Sequence, residues 1–222
     1  MKKILLVLIA LAALCGCSSR VSREAPYGLG APRLQNGDLI FVGRLACYDN
    51  EGETIDDAIA SATGKEGEMN LIHVAIAEVE ADSVWIIDAT FAHGVDRHPL
   101  DTFLTDFKFR NGEPEFIVKR VKGVDVDAAV KRAKSFCGRA YDYRFAEDNE
   151  DLYCTELVQK CYLDRDGQPI FPSEPMNWLA PDGSMPVFWE RLFGMMGMDV
   201  PQGLPGTNPQ RMSESEYLQA VP

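Results

Sequence analysis

Neither of the glycine-rich loops that cradle phosphates occurs in this chain: GxxxxGK and GxGxxG are both absent, which excludes nucleotide chemistry of those kinds. Positive charge is also scarce. Lys and Arg number 22 against 34 Asp and Glu, a formal charge of −12. That balance argues against nucleic acid and anionic membrane surfaces as partners. Histidine is limited to three residues. His93 and His98 flank Asp96, but no third donor follows at a ligand spacing. Both read as loop histidines, and no metal site is expected. Asp148, Glu150 and Asp151 lack the spacing of a calcium loop. The six cysteines form no dense disulfide framework. Cys154 and Cys161 lie two helical turns apart, about 10 Å, and cannot bridge within an intact helix. Export would permit a Cys47–Cys137 bridge, but no spacing requires it. Internal repeats and a second core are also missing, so one domain is expected.

The features that are present begin at the N-terminus. Lys2 and Lys3 precede an apolar run, Ile4 to Leu14, too short for a typical spanning helix. LCGCSS (Leu14 to Ser19) then resembles a bacterial lipobox, with Gly16 before Cys17. That resemblance implies a signal peptide over 1–16, Cys17 as the lipidated first residue of the mature protein, and a tether over 17–33. A simple secretory signal cut nearby is the alternative. Ser18, with no acidic run behind it, points to a periplasm-facing place in the cell envelope.

Residues 34–222 read as the folded domain. NGDLIFVG (Asn36 to Gly43) reads as turn then strand, and Asp56 to Ala62 as a short helix. Leu71 to Val79 and Ser83 to Thr90 are rich in β-formers and separated by a short acidic turn, so they read as a hairpin. A short strand at Gly94 to Arg97, a helical turn at His98 to Leu104 and a strand at Glu115 to Val121 follow. Val126 to Cys137 has the clearest helical stripe, with Asp125 placed to cap it and Gly138 to end it. A second helix runs from about Tyr153 to Leu163. From about 168 the chain becomes Pro-rich and reads as an irregular wrap, with one helix at Val187 to Met196.

Three side chains in this pattern suggest covalent catalysis. Cys154 opens the second helix. Cys154, Leu157, Val158 and Cys161 follow i, i+3, i+4, i+7 spacing, which points the thiol inward. A first-turn thiol sits near unpaired backbone N–H groups, which favour a thiolate and supply oxyanion donors. His73 alternates onto one strand face with Leu71, Ala75 and Ala77, whose small alanines leave room for a close helix. If Ala81–Asp82 forms a two-residue turn, His73 stands opposite Thr90. Asp88 is then its same-face diagonal neighbour, about 7–8 Å away between backbones. Taken singly, Cys154 reads as well as a buried inert thiol, His73 as a sheet histidine and Asp88 as a strand-end carboxylate. Taken jointly, thiol, imidazole and carboxylate form the set needed for cysteine catalysis.

GDLIF (Gly37 to Phe41), HVAI (His73 to Ile76), IIDAT (Ile86 to Thr90), GVDRHPL (Gly94 to Leu100) and AYDY…YCTELV (from Ala140 to Val158) resemble a known family. It is the circularly permuted papain-like cysteine hydrolases of the NlpC-type superfamily, in the YiiX/YebB-like branch, over about Gly37 to Leu163. The resemblance implies an α+β fold in which an antiparallel sheet packs on the helix that carries the nucleophile. Permutation places the Cys last in the chain. It further implies Cys154 as nucleophile, His73 as general base and Asp88 as orienter, where relatives often have Glu. Thr155 stands where Ser is frequent, and Tyr141 with Asp142 matches a YD pair of unassigned role. No cofactor is implied.

The implied substrate is an amide of a peptide or cell-wall fragment. A lipid-directed acyl hydrolase or acyltransferase is the alternative, and a non-catalytic lipoprotein binding module a third reading. The expected substrate pocket takes in Tyr141, Tyr153, Phe193 and Met196. For the last two, a helix packed on the core competes with an apolar groove leading to Cys154.

Overall fold

The computed structural model describes residues 34–45, 54–63, 69–81, 83–107 and 115–221. Cys17, the tether and Cys47 lie outside the described residues. The elements run β1 (Leu39–Leu45), α1 (Ile55–Thr63), β2 (Met69–Glu80), β3 (Ser83–Thr90), β4 (Gly94–Pro99), α2 (Leu100–Asp106) and β5 (Glu115–Val121). They continue with α3 (Val126–Phe136), α4 (Cys154–Cys161), β6 (Glu174–Pro175), α5 (Val187–Met195), β7 (Pro205–Gly206), α6 (Pro209–Ser213) and β8 (Leu218–Ala220). Six strands form one sheet in the order β4-β3-β2-β1-β5-β8, each neighbouring pair antiparallel. Helices packed on an antiparallel sheet make this an α+β fold, as expected. Among the described residues no helix is long and apolar enough to cross a membrane.

Alternation along the strands divides the core in two. Leu39, Phe41, Val74, Ile76, Ile87 and Ala89 face α3 and α4. Ile40, Val42, Ala75, Ala77 and Ile86 face Phe103 and Leu104 of α2. Burying Leu157 and Val158 of α4 against the first face contributes about 1.5–3 kcal/mol for each side chain. The register of β2 on β1 shifts between Val42 and Gly43, which pair with His73 and Leu71 and leave Ile72 as the extra residue. This bulge moves Leu71 to the α4 side, so the expectation that it shares a face with His73 is corrected. The Ala75–Ala77 row also packs on α2 rather than on α4.

GDLIF has a structural role at its start. Gly37 has φ +78°, and a Cβ there would stand 2.6 Å from the Val126 Cβ at the start of α3. Its carbonyl accepts from the Tyr162 hydroxyl at 2.9 Å, which ties the end of α4 to the entry of β1. Buried Asp38 accepts two bonds from Arg120, Nε and Nη2, each at 2.8 Å, and one from the Gln35 backbone N–H. This bidentate pair clamps β1 to β5.

The Pro-rich C-terminal segment is more ordered than its composition suggests. Trp178 and Trp189 stack edge-on at 4.6 Å, and Phe193 packs on Trp178 at 5.4 Å. Asn208 caps α6 by accepting from the Arg211 N–H, with Pro209 at the first helical position. The chain then returns to the sheet, where β8 pairs with β5. This segment covers the outer side of α4. Thr155 donates to the Thr207 carbonyl at 3.0 Å and Gln159 to the Phe171 carbonyl at 3.0 Å. Helix α4 is therefore buried on nearly its whole circumference, polar side included.

Candidate active site

The β2–β3 hairpin turns over two residues, pairing Glu80 with Ser83, and its ladder runs to Ile76↔Ile87. The strands then part, β2 continuing along β1 and β3 along β4. A cleft of about 320 Å³ opens where they separate, lined among others by Ile72, His73, Ala89, Thr90, Tyr141 and Cys154. The parting lets side chains of the α2-facing layer reach the start of α4 on the opposite layer.

The hairpin register is the expected one. His73 Nε2 lies 2.7 Å from Asp88 Oδ2, both side chains buried. With Nε2 held by the carboxylate, Nδ1 is the ring nitrogen left for Cys154, which lines the same cleft. Phe107 pins the other side of the imidazole at 4.8 Å between ring centroids. Burial alone would lower the His73 pKa. The negative charge on Cys154, the Asp88 bond and the Cys154 bond outweigh it and raise the pKa from 6.5 to about 10. At neutral pH the ring therefore carries its proton.

Cys154 is the first residue of α4, with Tyr153 as N-cap. Tyr153 offers no side-chain cap; its hydroxyl accepts instead from the Thr207 N–H at 3.0 Å. The first-turn N–H groups have no acceptor within the helix. Glu156, one turn in, is fully buried beside Lys160 at 2.8 Å. Burial raises its pKa to about 7 against the pull of Lys160. Cys161 is the inert thiol of the helix, since burial pushes it up to about 12.

Of the four expected pocket residues, Tyr141 alone lines the cleft. Burial, then the charge of Cys154, holds its phenol well above the ordinary range, so it stays protonated. Tyr153 lines an adjoining cavity of about 40 Å³ that shares Tyr141 and Cys154 with the cleft. Phe193 and Met196 do not reach the cleft. Phe193 is fully buried in the Trp178–Trp189 cluster and Met196 packs against the same core, so the core reading of α5 replaces the groove reading. Asp142 of the YD pair is structural: its carboxylate accepts from the Arg144 and Ala146 N–H groups and folds the loop that follows Tyr141.

Two features escaped the sequence reading. Phe103 and Phe107, four residues apart, form the aromatic wall behind the imidazole, and their helical spacing was the available signal. His98 is not a loop histidine. It lies on β4, buried, with Nε2 3.8 Å from Asp88 Oδ1. Among the described residues no group of three or more His, Cys, Asp or Glu side chains is arranged to hold a metal ion.

The crystal structure of a protein titled metalloprotein yiiX, from Escherichia coli O157:H7, has the same fold. Its TM-score is 0.63 at 20% identity, covering 86% of this chain and 97% of that one. No curated protein matches the sequence. A family model described as permuted papain-like amidase enzyme, YaeF/YiiX, C92 family, matches residues 33–222. The order of the chain, with strand-borne His73 and Asp88 before helix-borne Cys154, agrees with that match, and the chain belongs to the permuted papain-like amidases of the YaeF/YiiX family.

Proposed function

We propose that this protein is a cysteine amidase that cleaves a peptide or cell-wall amide through an acyl-enzyme. The observation that carries the reading is that His73, bonded to Asp88, lines the same cleft as Cys154. Cys154 Sγ attacks the carbonyl carbon, and the carbonyl electron pair moves to oxygen. The first-turn N–H groups of α4 stabilise that oxyanion. His73 delivers its Nδ1 proton to the leaving nitrogen as the C–N bond breaks, leaving a thioester on Cys154. Water then attacks the thioester, His73 takes its proton, and the acid and the thiolate separate. Asp88 holds the ring orientation and the imidazolium charge throughout.

The lipid-directed alternative drew on the Met- and aromatic-rich α5. With Phe193 and Met196 in the core, that support is gone, and the amide reading stands ahead. A non-catalytic module would have no need of a buried imidazolium against a thiol. Iodoacetamide at pH 6.5 followed by peptide mapping tests the reading. Cys154 should be alkylated in the native protein and Cys161 only after unfolding. Equal labelling of the two, or none before unfolding, would overturn it.

The same reading places the enzyme in the envelope, anchored by acyl chains on Cys17. It rests on the lipobox-like LCGCSS. Intact mass of protein extracted from membranes should show a diacylated or triacylated Cys17 as first residue. An unmodified N-terminus at another position would remove the anchor from the account.

A further inference from the structure

Asp88 stands on β3 between two histidine-bearing strands. On one side, just past the last hairpin pair, Ile76↔Ile87, His73 reaches Asp88 at 2.7 Å. On the other, β4 pairs Asp96 with Asp88 and His98 with Ile86. His98 is thus a diagonal neighbour of Asp88, and the two imidazoles flank one carboxylate on one face of the sheet. Asp88 Oδ2 is taken by His73. Asp88 Oδ1 is buried without a hydrogen bond, and so are both ring nitrogens of His98. Three unsatisfied buried polar atoms at one place are unusual in a folded protein, because buried polar groups are nearly always hydrogen-bonded. The gap between His98 Nε2 and Oδ1 is 3.8 Å, about 1 Å beyond a bond. His98 Nδ1 faces Asp96 Oδ2, also at 3.8 Å. Phe103 stacks on His98 at 6.5 Å with an interplanar angle of 19°, and it packs on Phe107, which stacks on His73. One aromatic wall therefore supports both rings.

We propose that His98 is a positioning residue: its Nε2–H closes on Asp88 Oδ1, fixes the carboxylate plane, and so holds Oδ2 on His73. The proposal rests on the assignment of Cys154, His73 and Asp88 made above. His98 touches neither the thiol nor the cleft, so its effect on chemistry passes through Asp88. Two variants separate positioning from packing. His98→Phe keeps a flat ring against Phe103 and removes the donor. His98→Gln loses ring volume but keeps an N–H for Oδ1.

Proton NMR of the low-field His73–Asp88 resonance, recorded in the native sequence and in Cys154→Ala, is the deciding measurement. The signal should shift or broaden beyond detection in His98→Phe and persist in His98→Gln, with the fold of each variant checked by thermal unfolding. Alkylation of Cys154 at pH 6 should fall about tenfold in His98→Phe, the equivalent of one pKa unit of lost support for the imidazolium, and recover to within about twofold in His98→Gln. An unchanged resonance in His98→Phe, or equal losses in both variants, overturns the positioning role. Failure of Cys154 to react in the native protein, with the resonance behaving as expected, would overturn the cysteine mechanism and leave the positioning role standing.

Discussion

Cys154→Ala should leave the protein folded and lower amide turnover on the order of 10⁵-fold. Loss of a covalent nucleophile that works as a unit with its base commonly removes nearly all the chemistry above binding and oxyanion stabilisation. The structure gives the residue no second role large enough to confuse the result. Its side chain is a single sulfur at the edge of the cleft, and Leu157, Val158 and the hydrogen bonds of Thr155 and Gln159 hold α4 without it. Cys154→Ser should be nearly as inactive, because a hydroxyl is a far weaker nucleophile than a thiol and far harder for the same imidazole to activate. Residual turnover within about tenfold of the native protein would mean that Sγ is not the attacking atom.

Removing the Asp88 carboxylate should have the next largest effect. Asp88→Ala should lower kcat on the order of 10³-fold, since the buried ring loses both its orientation and an anionic neighbour. Asp88→Asn should lie between this variant and the native protein. Its amide oxygen can still accept the Nε2–H but supplies no charge. The pH profile gives the sign. Asp88 and Cys154 raise the His73 pKa to about 10 against burial, so the ring keeps the proton needed by the leaving nitrogen until the pH passes that value. The alkaline limb of kcat/KM in the native protein should therefore fall near pH 10. Without the carboxylate charge the folded pKa drops, and the limb should move to lower pH in both variants. A limb that stays in place would show that Asp88 does not hold the imidazolium.

The His73–Asp88 pair was legible in the sequence because a two-residue hairpin turn fixes register, and register fixes which side chains are diagonal neighbours. Cys154 was legible as the inward first residue of a short helix. The faces were harder. The bulge at Ile72 moves Leu71 across the sheet, and strand alternation carries no mark of it. The parting of β2 and β3, which brings two layers of the fold to one cleft, is a long-range property of six strands and has no local signal.

The environment of α4 was hidden for a different reason. Thr155, Glu156 and Gln159 lie off the apolar stripe of α4, yet all three are buried; segments around Phe171 and Thr207 bond to Gln159 and Thr155, and those segments lack periodicity. Asn208–Pro209 starts the short helix α6, which the reading of this stretch as an irregular wrap with one helix at Val187 to Met196 missed. His98 was misread because the β3–β4 turn gave no obvious register, although Asp88 and Asp96 pair directly once β4 is extended to Pro99. Phe193 and Met196 carried the expected helical stripe, but a stripe does not say which cavity it faces, and here it faces two tryptophans.

The central claim is that Cys154 carries the acyl group between amide cleavage and hydrolysis. Rapid acid quench during turnover of a peptide amide or its activated ester, followed by intact mass and peptide mapping, tests it most directly. The account predicts an adduct equal in mass to the acyl half of the substrate, confined to the Cys154 peptide and longer-lived when the deacylating base is removed in His73→Ala supplied with an activated ester. Steady turnover with no adduct on Cys154, or an adduct on another residue, would contradict it.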